Sequence, residues 1–210
     1  MQKIPSASNY RQELRRKILS AAMQDFRKRG VKAVKMDDVA SQLSISKRTL
    51  YELYHNKEDL LYECLCDHDA FLEQRLKSSL SADATVMDVL ISFMRLHVEE
   101  SSKTNPQFFS DLGKYPKVMK YIEERNERSR QRAIGFMFRG MEEGYFRSEV
   151  NYSIINLMAE VFMKYVMDHE LYKQFPLPEI SRNVILVILR GFCTEKGLRL
   201  IENFDFSPET

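Results

Sequence analysis

The sequence predicts an all-α protein, and three observations lead to this fold class. Only 7 glycines and 6 prolines interrupt the 210 residues, and long stretches with apolar side chains at helical spacing lie between them. No stretch sustains the apolar and polar alternation of a β-strand. Charged residues make up 30% and hydrophobic residues 44% of the chain, a composition that excludes a collagen-like fibre and a wholly disordered protein.

The first part of the chain predicts one long helix, two short helices and a second long helix. Gly30 can end the first helix because glycine readily takes a positive φ. Residues 44–46 form a turn in which Ser46 can cap the third helix, and Asn56 can cap the fourth, with Asp59 as the acid of a capping box. These helices are predicted over residues 10–29, 37–43, 47–54 and 57–79.

The remaining helices are longer and carry wider apolar stripes. Asn105 and Pro106 separate the first of them from a short segment that ends at Lys114, and Pro116 closes that segment. Gly144 ends the next helix, and a Pro-Leu-Pro sequence divides the last two, which are heavily apolar. The long helices are predicted over residues 86–102, 117–143, 152–174 and 178–201.

Charge is distributed unevenly along the chain. Residues 1–60 contain 13 basic and 7 acidic side chains, whereas the rest contains 19 basic and 23 acidic ones. A basic amino-terminal segment on an acidic remainder indicates a module that faces a polyanion. On charge alone, a solvated lysine-rich helical surface explains the pattern equally well.

Two short helices joined by a three-residue turn form the helix-turn-helix pattern, in which the second helix enters the major groove of DNA. In that second helix Leu50 and Tyr54 share one face and should pack inward. The opposite face follows helical spacing and should point outward. It carries Arg48, Tyr51, Glu52 and His55.

The outward side chains match the chemistry of DNA recognition. Arg48 can donate two hydrogen bonds to guanine, and Thr49 can contact a thymine methyl group or a phosphate. Lys47 is a flexible cation suited to phosphate. Lys57 begins the fourth helix, where free amides and the helix dipole also favour an anion. The DNA-contacting residues predicted here are Lys47, Arg48, Thr49, Tyr51, His55 and Lys57.

Residues 17–61 resemble the TetR family of bacterial transcriptional regulators, and the resemblance is strongest over residues 45–60, with the sequence ISKRTLYELYHNKEDL. The resemblance implies an all-α homodimer with a helix-turn-helix DNA-binding domain over residues 1–56. It also implies a larger helical domain over residues 57–210 that senses a ligand and dimerises. The implied function is repression from a palindromic operator in double-stranded DNA, relieved by a small-molecule inducer.

Two residues depart from the family pattern. Ser44 stands where the family usually has a glycine in the turn, which costs about 1 kcal/mol if φ is positive there. Lys35 stands where a threonine commonly caps the second helix. Neither departure removes a DNA-contacting group, so both concern stability rather than binding.

The last two long helices are apolar over more than one face, which favours a two-fold helical interface over a monomer that exposes the surplus. A monomeric bundle with these helices at its centre is the alternative. Gly191 would allow close approach of two helices, and the family resemblance points to the same pair. The predicted interface residues are Val161, Tyr165, Val184, Val187, Ile188 and Gly191.

A ligand cavity is predicted beside the helix over residues 117–143, because Asn126 and Ser129 interrupt its apolar stripe and a buried polar group needs a partner. A methionine and phenylalanine lining suits an apolar or aromatic inducer. The proposed lining is Phe93, Met94, Asn126, Ser129, Met137, Met141 and Phe162. Ordinary core filling, with Asn126 facing water, is the alternative.

Several other classes are not predicted. Cys64 and His68 are too few for a metal site, the three cysteines lack a disulfide framework, and no enzyme motif or cofactor-binding loop occurs in the sequence. The longest aliphatic run, residues 184–189, is too short to span a membrane. The expected location is the cytoplasm. Two alternatives to an inducible repressor are a family member that binds DNA constitutively and a helical sensor whose basic head docks on an acidic protein.

Overall fold

The structure, a computed structural model, describes residues 7–202. This part of the chain contains ten α-helices, a single 3₁₀ turn over Leu171–Lys173 and no β-strand, in agreement with the predicted fold class. The helices are α1 (Ala7–Arg29), α2 (Met36–Gln42), α3 (Lys47–Leu53), α4 (Lys57–Ser78), α5 (Val86–Ser102), α6 (Pro106–Leu112), α7 (Pro116–Glu142), α8 (Tyr152–Asp168), α9 (Leu177–Phe192) and α10 (Glu195–Glu202).

The chain packs as two compact units. The first comprises the residues up to Phe71 together with Gln107–Tyr121, and the second comprises Leu72–Pro106 and the residues from Ile122 onward. The first unit thus includes most of α4 and all but the first residue of α6 in addition to α1–α3. The domain boundary after residue 56 remains a prediction.

The core of the first unit is built from aliphatic and aromatic side chains of α1–α4. Phe26 of α1, Val39 of α2, Leu50 of α3 and Leu60 of α4 are fully buried. Complete burial of such side chains contributes about 1.5–3 kcal/mol each. The two short helices are therefore held by packing, because helices of seven residues are not stable alone.

Local backbone chemistry sets the turns between these helices. Gly30 ends α1 with a φ of 84°, as predicted, and Ser44 adopts a φ of 53° in the turn between α2 and α3. The Ser46 hydroxyl caps α3 by accepting a hydrogen bond from the Thr49 amide at 3.0 Å. At the start of α2 the Asp38 carboxylate accepts from the Lys35 amide at 3.1 Å, which supplies half of a capping box without a threonine.

The second unit has a core of aromatic and aliphatic side chains. Phe146 lies at its centre, edge to face with Phe192 at a ring distance of 5.1 Å and tilted against Tyr152 at 6.2 Å. Met87 and Met94 of α5 are buried in the same cluster. Gly140 of α7 lies directly beneath the Phe146 ring, where a side chain would collide with it.

The prediction of a single helix over residues 178–201 was wrong. Cys193 is extended, with φ −76° and ψ 145°, and forms an antiparallel bridge with Phe146. The amide of Thr194 donates to the Tyr145 carbonyl at 2.9 Å, and the Thr194 hydroxyl accepts from the Gly197 amide at 3.3 Å. Pairing with a distant segment therefore divides the predicted helix into α9 and α10.

The prediction that the preceding helix reaches residue 174 was also wrong. The helix α8 ends at Asp168, and Glu170 takes a left-handed conformation with φ 52° before the 3₁₀ turn. Neither glycine nor proline marks this end in the sequence. The prolines of the Pro-Leu-Pro sequence lie further along the chain, where Pro176 is the N-cap residue of α9.

Within residues 7–202 no helix combines the length and the hydropathy needed to cross a membrane. The same residues contain no cluster of three or more histidine, cysteine, aspartate or glutamate side chains that could hold a metal ion.

Candidate nucleic-acid interface

The helix α3 has a buried face and an exposed face, and Arg48 and Tyr51 of the predicted DNA contacts lie on the exposed one. Leu50 is fully buried and Tyr54, directly after the helix, is 1% exposed. On the other side the Arg48 side chain is 88% exposed and Tyr51 is 44% exposed. His55 is also exposed. Core packing on one face therefore leaves a polar face free for a partner.

Both cations of α3 are paired with carboxylates. Lys47 donates to Asp37 of α2 at 2.5 Å, and the Nε of Arg48 donates to Glu52 at 2.8 Å. These hydrogen bonds raise the pKa of Lys47 and of Arg48, so both side chains are cations at neutral pH. The exposed side of α3 is consequently a mixed surface with two acids beside its two bases.

Thr49 is tied to the start of the helix. Its amide donates to the Ser46 hydroxyl at 3.0 Å, and the two hydroxyl oxygens lie 2.8 Å apart in a further hydrogen bond. The side chain is half-buried. Its methyl group and hydroxyl are held in one orientation by the helix cap, which fits the predicted contact to a base or phosphate.

Lys57 differs from the prediction in its surroundings. Its ammonium donates to the carbonyls of Val31 and Val34, at 3.0 and 2.9 Å, in the turn after α1. Burial lowers the pKa of Lys57. Two of its three N–H donors are used inside the protein, so the ammonium has one donor left for a phosphate.

The start of α4 is capped as predicted. The Asp59 amide donates to the Asn56 side chain at 2.9 Å. The Asp59 carboxylate accepts from Lys117 at 2.5 Å. The carboxylate that the sequence assigned to a capping box therefore pairs with a cation on α7.

A shallow hollow of about 290 Å³ adjoins α3 in the first unit. Tyr10, Arg11 and Leu14 of α1 form one side, and Thr49, Glu52 and Leu53 of α3 form the other. The sequence analysis does not place α1 beside the exposed face of α3, because the spacing of side chains along α1 does not show which of its faces α3 adjoins.

Glu52 is a further residue on α3 to which the sequence assigns no role. Helical spacing places it on the outward face, but it is not among the predicted DNA-contacting residues. The signal was present, since Arg48 and Glu52 are four residues apart on one helix, the spacing at which opposite charges pair.

The predicted cavity residues occupy different environments in the second unit. Met94 is buried in the core cluster, against which Met137 and Met141 also pack. Asn126 is half-buried, whereas Phe93, Ser129 and Phe162 are exposed. These environments fit both alternatives, an open pocket and ordinary core filling, and the cavity remains a prediction.

The predicted interface residues lie on faces of α8 and α9 that no other part of the described chain fully covers. Val161, Tyr165 and Val187 are 59%, 50% and 72% exposed. A side chain at Gly191 would meet no atom within 4 Å. Val184 and Ile188 are half-buried at the edge of this surface. Leu157 is exposed on the same side of α8 as Val161 and Tyr165, so each of the two helices carries exposed apolar side chains.

Comparison with known proteins extends these observations. A family model described as "Bacterial regulatory proteins, tetR family" matches residues 18–64. Over 143 residues the chain is 27% identical to the HTH-type transcriptional repressor KstR2 of Mycobacterium tuberculosis, a match that covers 65% of this chain and 70% of the relative.

Three solved structures share the fold. The ketosteroid transcriptional regulator KstR2 of Mycobacterium tuberculosis matches at a TM-score of 0.57 and 21% identity, over 87% of this chain and 96% of that one. A TetR-family transcriptional regulator from Marinobacter aquaeolei VT8 matches at 0.69 and 18%, over 90% and 95%. A structure from Saccharomonospora viridis in complex with choline matches at 0.67 and 18%, over 88% and 100%.

Proposed function

We propose that the chain, whose residues 18–64 match the family of TetR regulatory proteins, is a DNA-binding transcriptional repressor that acts as a homodimer on a palindromic operator. The observation that carries the proposal is the two-sided structure of α3. Leu50 anchors the helix in the core while Arg48 and Tyr51 on the opposite face stay exposed. A recognition helix in the major groove requires this division.

The exposed residues divide by chemistry into base-reading and phosphate-binding groups. Arg48 presents a planar fork that fits the O6 and N7 atoms of guanine, so it should discriminate between sequences. Lys47 carries a point charge that fits a phosphate of any nucleotide, so it should add affinity without discrimination. Tyr51 and His55 add donors for backbone oxygens.

Binding to duplex DNA at increasing salt tests this assignment. An operator is first selected from a library of random duplexes with the purified protein. Lys47→Ala should weaken binding to operator and random duplex alike and reduce the salt slope by about one. Arg48→Ala should weaken operator binding by about 1–3 kcal/mol more than it weakens binding to random duplex. Lys120→Ala, at an exposed position on α7, is the control.

Two results would contradict the assignment. Uniform losses in both α3 variants would remove the base-reading role of Arg48. Weak binding to every duplex, with almost no salt slope, would contradict a DNA-binding role and favour a basic head that docks on an acidic protein.

The homodimer is proposed through α8 and α9. The support is the apolar surface of Leu157, Val161, Tyr165, Val187 and Gly191, which would face water in a monomer. Self-association of this surface would present α3 twice, with two-fold symmetry. Sedimentation of Val187→Asp should give a monomer where the unmodified protein gives a dimer, and an unchanged dimer would place the interface elsewhere.

A small apolar or aromatic inducer is proposed to bind the second unit beside Phe93, Met137 and Phe162. The support is the methionine and phenylalanine composition of this region, together with a relative described as a ketosteroid regulator. Inducer would favour a conformation in which the paired recognition helices no longer match their half-sites. A regulator that binds bacterial DNA acts in the cytoplasm, and we propose this location for the chain.

Two probes test the inducer. A ketosteroid such as 4-androstene-3,17-dione should weaken operator binding, whereas choline, the ligand of the Saccharomonospora viridis structure, serves as a polar comparison. A ketosteroid that leaves operator affinity unchanged would remove the support taken from the ketosteroid regulator, and weakening by choline alone would contradict an apolar inducer.

A further inference from the structure

Glu52 is an acid on the exposed side of α3, and the proposed function assigns no role to it. The carboxylate of Glu52 accepts a hydrogen bond from the Nε of Arg48 at 2.8 Å. Both side chains are well exposed, at 59% for Glu52 and 88% for Arg48. The ion pair therefore lies on the exposed face of α3, where Glu52 also lines the hollow beside α1.

The pair uses the inner donor of the guanidinium. An arginine has five N–H donors, and the Nε–H accounts for one of them. The four donors on Nη1 and Nη2 stay available, and pairs of them form the fork that reads guanine. A carboxylate on Nε can therefore hold the guanidinium without blocking base recognition.

We propose that Glu52 is a specificity-determining residue that positions Arg48 for base reading. This inference rests on the proposed function. Restricting Arg48 before binding reduces the conformational freedom lost on contact with the base. In water an exposed pair of this kind contributes little, but it strengthens when DNA excludes water from the surface.

Glu52 also has a simpler effect, because its negative charge opposes the phosphates of any DNA sequence. Asp37 provides a natural control for this effect. It is an acid in the same unit, and it pairs with Lys47 instead of Arg48. Removal of either charge should raise affinity for random duplex, whereas only Glu52 should affect the reading of a base.

The experiment compares Glu52→Ala, Glu52→Gln and Asp37→Asn. Affinity is measured by fluorescence anisotropy for the selected operator, for each single base-pair variant of it, and for random duplex. Circular dichroism confirms that each variant is folded. Glutamine keeps an acceptor oxygen for the Nε of Arg48 but removes the charge, so it separates positioning from charge.

All three variants should bind random duplex more tightly than the unmodified protein. Glu52→Ala should also lower the preference for operator over the base-pair variant read by Arg48 by about two- to twelvefold, the range expected for ordering one long side chain. Glu52→Gln and Asp37→Asn should retain that preference to within about twofold. An equal preference in Glu52→Ala and Asp37→Asn would overturn the proposal, because charge alone would then explain both.

A double variant distinguishes positioning from direct contact. If Glu52 acts through Arg48, adding Glu52→Ala to Arg48→Ala changes no base preference. If the double variant changes the preferred base at any position relative to Arg48→Ala, Glu52 itself contacts DNA and the positioning role is wrong. Failure of the unmodified protein to enrich any duplex would contradict the proposed function instead, so the two failures are distinguishable.

Discussion

Lys57 should contribute to stability through the turn after α1, and Lys57→Met tests this directly. Methionine keeps most of the apolar stem but removes both hydrogen bonds, to Val31 at 3.0 Å and to Val34 at 2.9 Å. A hydrogen bond to a charged group contributes about 1.5–3 kcal/mol. Because Lys57 is only partly buried, water replaces part of the lost interaction, and the free energy of unfolding should fall by about 2 kcal/mol in total.

Thermal unfolding followed by circular dichroism measures this loss. A change of about 2 kcal/mol lowers the midpoint by about 4–8 °C in a protein of this size. Lys17→Met is the matched control, since Lys17 is exposed and pairs with Glu13 within α1. This substitution should change stability by less than about 0.5 kcal/mol. If Lys57→Met and Lys17→Met changed stability equally and only Lys57→Met lost DNA affinity, the structural role of Lys57 would be refuted. Lys57 would then act only as a phosphate-binding residue.

Two further predictions concern packing and pH. Gly140→Ala should lower the free energy of unfolding by about 1–3 kcal/mol, because the added methyl group collides with Phe146. Gly135→Ala on the same helix, with open space around the added methyl group, should raise the free energy of unfolding by about 0.5–1 kcal/mol. Urea titrations of both variants measure the two changes. Burial alone would raise the pKa of Asp111, but hydrogen bonds from the Lys32 amide, Lys114 and Gln107 outweigh it and leave the pKa below its ordinary value. The carboxylate therefore stabilises the fold above the ordinary pKa of about 3.9 and loses this effect as the pH falls through its lowered value. Urea titrations at several pH values should show the stability difference between unmodified protein and Asp111→Asn constant from pH 7 to 5 and smaller near pH 3, and a difference that grows on acidification would contradict this.

Local sequence signals were sufficient where helix ends depend on neighbouring residues. Gly30, Ser46 and Asn56 end or cap helices in the way their chemistry predicts. The break between α9 and α10 was not predictable in this way. It depends on pairing of Cys193 with Phe146, two residues far apart in sequence, and residues 193–194 carry no strong helix-breaking signal of their own.

The buried and exposed faces of α3 were predictable because helical periodicity alone separates the face of Leu50 from the face of Arg48. Periodicity does not show which charged neighbours engage a side chain. The partners of Lys57 are backbone carbonyls in the turn after α1, and backbone acceptors have no sequence signature. Asp37 reaches Lys47 from a different helix, so that pair also depends on the folded arrangement.

The claim that α3 binds DNA as one of a symmetric pair is tested most directly by hydroxyl-radical footprinting on the selected operator. Two protected half-sites should appear, with centres separated by about 10–10.5 base pairs or a multiple of that distance. Arg48→Ala should weaken the protection of both half-sites together. A single protected stretch without two-fold symmetry, or a footprint unchanged in Arg48→Ala, would contradict the account.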